Sequence, residues 1–272
     1  MPDLQGTFLG EIVAACRRRS EEKRTRVPLE SLQNAAENRA ERRDFALALR
    51  AGGLRVIAEM KRASPSRGLL CQQYRRWEIA ESYARAGAAA LSVLTEEQYF
   101  LGSLEDVAAA RAATSLPVLR KDFILDAYQV YESVAAGADA LLLIVAALGD
   151  EDLHELLSLC TRLGVAALVE VHTAEELARA LAAGARIVGV NNRDLRSLAV
   201  DLETSFRLKA GIPSGCLAVS ESGIKTSEDV RRLAEAGYDA ILIGERLMTA
   251  PDPGQALAEL LEGARRTVTS GK

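Results

Sequence analysis

Histidine is nearly absent from this chain: only His154 and His172 occur in 272 residues. A zinc site rich in histidine is excluded, because such sites cluster three or four ligands. Cysteine is sparse too. Cys16, Cys71, Cys160 and Cys216 are scattered with no close pair, unlike a disulfide scaffold or a Cys/His metal site. The longest uncharged apolar stretch, 140–149, is about half of what a membrane helix needs. A signal-peptide core is also missing, since Glu11 and the arginines from Arg17 onward interrupt the N-terminus. Neither sign of charge dominates. Lys and Arg number 34 against 38 Asp and Glu, a net charge of −4, which argues against nucleic acid as the main partner. What remains is 49% apolar and 26% charged, the composition of a soluble globular protein. The length suits one large core and is short for two enzyme domains. These features predict a cytoplasmic, reduced protein with no metal and no membrane partner.

Short apolar runs of β type alternate with longer stretches of helical period. Strands are expected near 56–60, 89–94, 118–121, 140–144, 166–171, 187–191, 217–221 and 240–244. Helices are expected between them, for example over 127–136, 150–163, 173–182 and 226–236. The run Ala140-Leu-Leu-Leu-Ile144 is continuously apolar, as in a parallel strand covered on both faces. Ala-Gly pairs end at Gly87, Gly137, Gly184 and Gly237, spaced 50, 47 and 53 residues apart. Glycine there can take the left-handed conformation that ends a helix and turns into the next strand. The repeat is therefore a pair of βα units, and four pairs predict an α/β fold, a single (β/α)8 TIM barrel. A doubly wound open sheet shows the same alternation but rarely has eight even units. Residues 1–50 read as a charged N-terminal helical extension, and 51–272 as the barrel, in one domain overall. The run Arg17-Arg-Arg19 with Glu21-Glu-Lys-Arg24 mixes both signs and reads as a solvated helix face. Trp77 and the tyrosines read as packing residues, and His154 as a surface residue.

In such barrels the chemistry sits at the C-terminal ends of the strands. The first, third, fifth and seventh expected strands end on Glu59, Lys121, Glu170 and Glu221. Inward residues of alternate strands share a layer, so these four can meet. Lys61 lies two residues after Glu59 and faces the same way, one layer higher. Any one of them could be an ordinary ion pair. Five converging on one mouth point to a charged substrate or proton transfer, because buried charges are expensive unless paired. His172 is a possible base, although a structural hydrogen bond is the simpler reading. Ser222 and Gly223 follow the seventh strand, and Gly244 and Glu245 the eighth. Their backbone N–H groups suit an anion, the phosphate position of these barrels. The Glu245 side chain is an awkward neighbour for an anion, so its backbone is assigned that part. Arg193 and Lys61 could add positive charge.

Six motifs then carry a family resemblance. They are Ile57-Ala-Glu-Met-Lys-Arg-Ala-Ser-Pro-Ser66, Leu94-Thr-Glu-Glu-Gln-Tyr-Phe-Leu-Gly-Ser103, Val118-Leu-Arg-Lys-Asp-Phe123, Leu168-Val-Glu-Val-His172, Gly189-Val-Asn-Asn-Arg-Asp-Leu195 and Ser220-Glu-Ser-Gly-Ile224. In this order, at the expected strand ends, they resemble the indole-3-glycerol-phosphate synthase family from about Phe8 to about Met248. The resemblance implies a small phosphorylated substrate, 1-(2-carboxyphenylamino)-1-deoxyribulose 5-phosphate. The implied products are indole-3-glycerol phosphate, carbon dioxide and water, formed without a cofactor. It implies that Lys121 is the general acid of ring closure and Glu170 an acid–base for loss of water. Glu59 and Lys61 would bind and polarise, with Lys61 a second candidate acid. Asn191 and Glu221 would hold sugar hydroxyls and the lysines. Ser64, Ser222, Gly223, Gly244 and Glu245 would surround the phosphate or its approach, and Phe123 and Pro65 the aromatic ring. Two departures are visible: Ala127 stands where many relatives carry proline, and Glu245 where some carry serine.

Other readings remain at this point: a phosphoribosyl isomerase, a Schiff-base aldolase using Lys121, or a non-catalytic phosphate-binding barrel. Oligomeric state is not given by the sequence, and a monomer is the working expectation.

Overall fold

The computed structural model describes residues 4, 6–195 and 197–269. Eight parallel strands close into a barrel in sequential order, each paired with its chain neighbours and the first with the last. They are β1 (Arg55–Met60), β2 (Ala90–Leu94), β3 (Val118–Lys121), β4 (Ala140–Ile144), β5 (Ala166–Val171), β6 (Ile187–Asn191), β7 (Leu217–Glu221) and β8 (Ala240–Ile243). Three helices precede β1: α1 (Phe8–Arg26), α2 (Leu29–Glu37) and α3 (Phe45–Arg50). The helices after successive strands are α4 (Arg76–Arg85), α5 (Glu105–Ala113), α6 (Ala127–Ala135), α7 (Asp150–Arg162), α8 (Ala174–Ala182), α9 (Glu203–Lys209) and α10 (Ser227–Glu235). The short α11 (Glu245–Met248) and α12 (Pro253–Thr269) follow β8. The eight strands, and with them the fold class, agree with the sequence reading. β8 stops at Ile243 rather than 244, because Gly244 already caps α11.

The helix boundaries have local causes. Asp126, Thr173 and Thr226 accept the third backbone N–H of α6, α8 and α10, which satisfies a donor left over at each helix start. At the other ends Gly87, Gly137, Gly184 and Gly237 all have positive φ, between 82° and 103°, as the Ala-Gly repeat predicts.

Strand periodicity sorts the core into two layers. Ala58, Val93, Leu141, Val169, Val188 and Ile241 face outward against the helices. Ile57, Leu119, Leu142, Leu168, Val219 and Leu242 fill the barrel. Phe45 and Leu49 of α3 join that inner layer. The segment before α3 is tied to Asp139, just ahead of β4, by Arg39 and by the backbone N–H of Arg43. This end of the barrel is therefore stoppered. At the opposite end α1 lies over the mouth, with Leu9, Ile12 and Val13 in the same apolar cluster as Phe123 and Ile144.

Two readings of the sequence are corrected. The charged run of α1 is not simply a solvated face. Arg19 pairs with Glu96 at 3.0 Å, Lys23 with Glu132 at 3.2 Å and Arg24 with Asp126 at 2.9 Å. These pairs clip α1 to the loops after β2 and β3 and to α6. Trp77 is not a packing residue either, being 56% exposed under the Arg76 guanidinium. The buried face of α4 is Ile79, Ala80 and Tyr83, and two residues before Ile79 is the far side of a helix. The loop after β1 also forms a small antiparallel hairpin, Ala63–Ser64 with Gly68–Leu69, that the sequence did not announce.

Candidate active site

Glu59, Lys121, Glu170 and Glu221 end β1, β3, β5 and β7, or come one residue short of the end. Two residues earlier on each strand stand Ile57, Leu119, Leu168 and Val219, all in the inner core. The ionisable layer is thus built directly on an apolar floor. Lys121 Nζ lies 2.6 Å from Glu221 Oε2 and 3.1 Å from Glu170 Oε2. Lys61 Nζ lies 2.6 Å from Glu59 Oε1. Two lysines and three glutamates therefore meet at the mouth where α1 lies.

Charge follows from this crowding. Burial works against the Lys121 ammonium, but Glu221, Glu170 and Glu59 outweigh it and hold it above the ordinary lysine range. Burial raises both neighbouring carboxyls, yet they end on opposite sides of the usual value. Glu170 has a second cation, His172, besides Lys121, and sits below the carboxylate range. Glu221 shares Lys121 with Glu170 and is pushed up to about 7. The same set of charges thus drives the two neighbouring carboxyls in opposite directions. A lysine held charged is a poor amine nucleophile, which argues against the Schiff-base reading.

Above the ring opens a cavity of about 630 Å³, lined by Glu59, Lys61, Lys121, Glu170, Asn191 and Arg193 on its polar side. Phe123, Ser222, Gly223, Gly244 and Glu245 line it as well. Glu221 lies beneath, 1% exposed, and reaches the cavity only through Lys121. Ser222 and Gly223 both have positive φ, 67° and 78°. Such a conformation is unusual for serine and persists where the surroundings enforce it. Glu245 pairs with Arg67 at 3.3 Å and Arg193 at 3.2 Å, so its side chain is committed to arginines. Ser64 and Pro65 do not line this cavity. They line a smaller adjoining one, under Phe8, Leu9 and Ile12 of α1, which also touches Phe123 and Arg193. Ser64 thus lines the adjoining cavity and not the one that Ser222 and Gly223 line. His172 makes the structural hydrogen bond that the sequence favours, to Glu176, and its other ring nitrogen faces Glu170.

Comparison with known proteins decides the kinship. A sequence model of indole-3-glycerol phosphate synthase matches residues 9–260. The chain belongs to the indole-3-glycerol phosphate synthase family. The synthase of Carboxydothermus hydrogenoformans is 48% identical over 263 residues, covering 93% of this chain and 99% of that one. The synthase of Chloroherpeton thalassium is 50% identical over 248 residues, covering 90% and 95%. Solved structures add the fold alone. KGPDC from Streptococcus mutans superposes with a TM-score of 0.62 at 13% identity, covering 79% of this chain and 99% of that one. The 3-hexulose-6-phosphate synthase from Salmonella typhimurium gives 0.60 at 12% identity, covering 77% and 99%. This synthase-family chain is thus a carboxy-lyase of tryptophan biosynthesis on a TIM barrel.

Three residues that shape the surroundings of this candidate site went unnoticed in the sequence. Asn192, 2% exposed, donates to the carbonyls of Glu221 and Ser222 at 2.9 and 3.0 Å and so fixes the β7 loop. Buried Glu96 accepts the N–H groups of Gln98, Tyr99 and Phe100 and pairs with Arg19. Gly189 faces into the barrel, where a Cβ would collide with Glu221 Oε1. A glycine inside a strand is a signal of such close approach, and Gly189 stands in the middle of β6. Gly244 leaves similar room for Glu59. Gly189→Ala is expected to push Glu221 off Lys121 and lower kcat about a hundredfold. Circular dichroism should report an unchanged fold, and wild-type turnover would refute the close-approach role.

Proposed function

We propose that this protein converts 1-(2-carboxyphenylamino)-1-deoxyribulose 5-phosphate to indole-3-glycerol phosphate, carbon dioxide and water. The observation that carries the reading is Lys121, a part-buried ammonium shared by Glu170 and Glu221 at the mouth of the barrel. The substrate phosphate sits against the backbone N–H groups of Ser222, Gly223, Gly244 and Glu245, with Arg193 alongside. Its aromatic ring takes the apolar cavity beneath α1, between Phe123 and Pro65. This leaves the keto oxygen near Lys121 and Lys61.

The ring carbon that bears the carboxylate attacks the ketone, and Lys121 supplies the proton that turns the developing alkoxide into a hydroxyl. Carbon dioxide leaves and its bonding pair returns to the ring, which restores aromaticity without a cofactor. Loss of water needs a base for the departing C–H proton and an acid for the hydroxyl. Glu170 moves these protons, and Glu221 keeps Lys121 in place. Glu59 holds Lys61, and Asn191 binds a sugar hydroxyl. Ser64 lies on the approach to the ring cavity.

We further read residues 1–50 and 51–272 as one domain, working as a monomer in the cytoplasm. Among the described residues no helix is long and apolar enough to cross a membrane. The test is to add the carboxyphenylamino-deoxyribulose phosphate to purified protein and follow indole fluorescence. Growth of the signal is expected. Well-folded protein that gives none would refute the assignment and direct attention to isomerase substrates.

A further inference from the structure

The imidazole of His172 lies between two carboxylates. On one side Nδ1 is 3.0 Å from Glu176 Oε2, which also accepts the His172 backbone N–H at 2.7 Å. On the other side Nε2 is 3.4 Å from Glu170 Oε1. Those last two atoms are buried and make no aligned hydrogen bond. Glu176 is held in turn, because it stands in the first turn of α8 with its N–H on Thr173 Oγ1 at 3.2 Å. The line Glu176–His172–Glu170 therefore runs from the rim of the barrel to the reacting layer. Side-chain exposure falls along it from 18% through 12% to 2%.

We propose that His172 is a positioning residue for Glu170: anchored by Glu176, it keeps the Glu170 carboxylate ionised and in place. This rests on Glu170 being the acid–base of water loss. Glu170 is 1% exposed, so its charge is set by the few groups that face it rather than by bulk water.

The surroundings agree. The charged groups facing the ring are Glu170 from the end of β5 and Glu176 from α8. The turn Val145–Ala147, packed against both elements, carries no charge. Arg179, one turn along α8, is directed to Asp150 and to the carbonyls of Val145 and Leu148. Glu170 itself faces Lys121 from β3 and Asn191 from β6, with Glu221 of β7 across Lys121. Burial lowers the imidazole, but the two carboxylates outweigh it and raise it to about 10.

The experiment is an NMR titration of the two histidine rings, His154 being assigned by its loss in His154→Gln, together with the pH profile of kcat. The His172 ring is expected to stay protonated above pH 8 and to titrate lower in Glu176→Gln. In His172→Asn, kcat should fall tenfold or more with KM little changed, on the order seen when a residue orienting an active group is removed. The acid limb of the profile should move to higher pH by about one unit, because Glu170 has lost a cation that favoured its ionised form. A ring that titrates near pH 6.5 and ignores Glu176 would overturn the proposal. So would a His172→Asn enzyme with wild-type kcat and profile. If His172→Asn does not fold, Glu176→Gln decides alone, since its ring titration and basic limb must shift together. If wild-type protein turns over no substrate, the proposed function fails, while the ring titration still tests the anchoring of His172 by the carboxylates.

Discussion

Replacing Lys121 with alanine is expected to lower kcat by about a thousandfold, within the range lost with a positioned general acid. The loss should fall on kcat rather than KM, because the ammonium acts on charge that develops during ring closure. The proposed phosphate cradle and the apolar cavity under α1 are built from other residues, so substrate should still bind. The fold should survive for a specific reason. Lys121 is the shared cation of Glu170 and Glu221, and Glu221 already stands near neutrality, at about 7. Without the lysine, the carboxyls can take up protons instead of remaining as unpaired buried charges. Steady-state kinetics by indole fluorescence, with near-ultraviolet circular dichroism as the folding control, checks both halves. A variant within tenfold of wild type would transfer the acid role to Lys61.

Replacing Asp139 with alanine is expected to do the reverse, lowering stability while sparing the chemistry. Asp139 is fully buried ahead of β4 and takes Arg111 at 2.8 Å, Arg39, and the backbone N–H groups of Arg43 and Val118 at 3.0 Å. Removing it leaves two guanidinium groups half-buried beside each other with no carboxylate between them. Breaking a buried ion pair in this way costs about 3–5 kcal/mol, or roughly a 10 °C fall in Tm for a chain of this size. The cluster lies at the stoppered end of the barrel, away from Lys121, so kcat at 25 °C should change little. A thermal melt with Tm within 2 °C of wild type would show that the cluster does not fasten the N-terminal segment.

Much of the fold was legible because its signals are local. The Ala-Gly repeat marks helix ends, and each of its four glycines does take positive φ. The ring of Glu59, Lys121, Glu170 and Glu221 was legible because strand parity is also local. Each of the four stands two residues after an apolar residue that points into the barrel. Family motifs then gave those positions their expected chemistry. Asp139 and Asp239 carried a readable signal that went unused. Both stand two residues after a repeat glycine, and both accept an N–H from a neighbouring strand, Val118 and Ala218 respectively.

What the sequence could not show are contacts between distant segments. The pairing of Arg19 with Glu96 spans 77 residues, and that of Lys121 with Glu221 spans 100. The exposure of Trp77 and the split of Ser64 and Pro65 into a cavity roofed by α1 depend on how helices and loops lie on the barrel. Periodicity and turn chemistry act within a few residues, so the sequence by itself determined the strands, their inward faces and the set of groups at the mouth. Only the tertiary structure decided their charge states. Burial, a shared lysine and a facing histidine arise when the barrel closes, and together they push Glu170 down and Glu221 up.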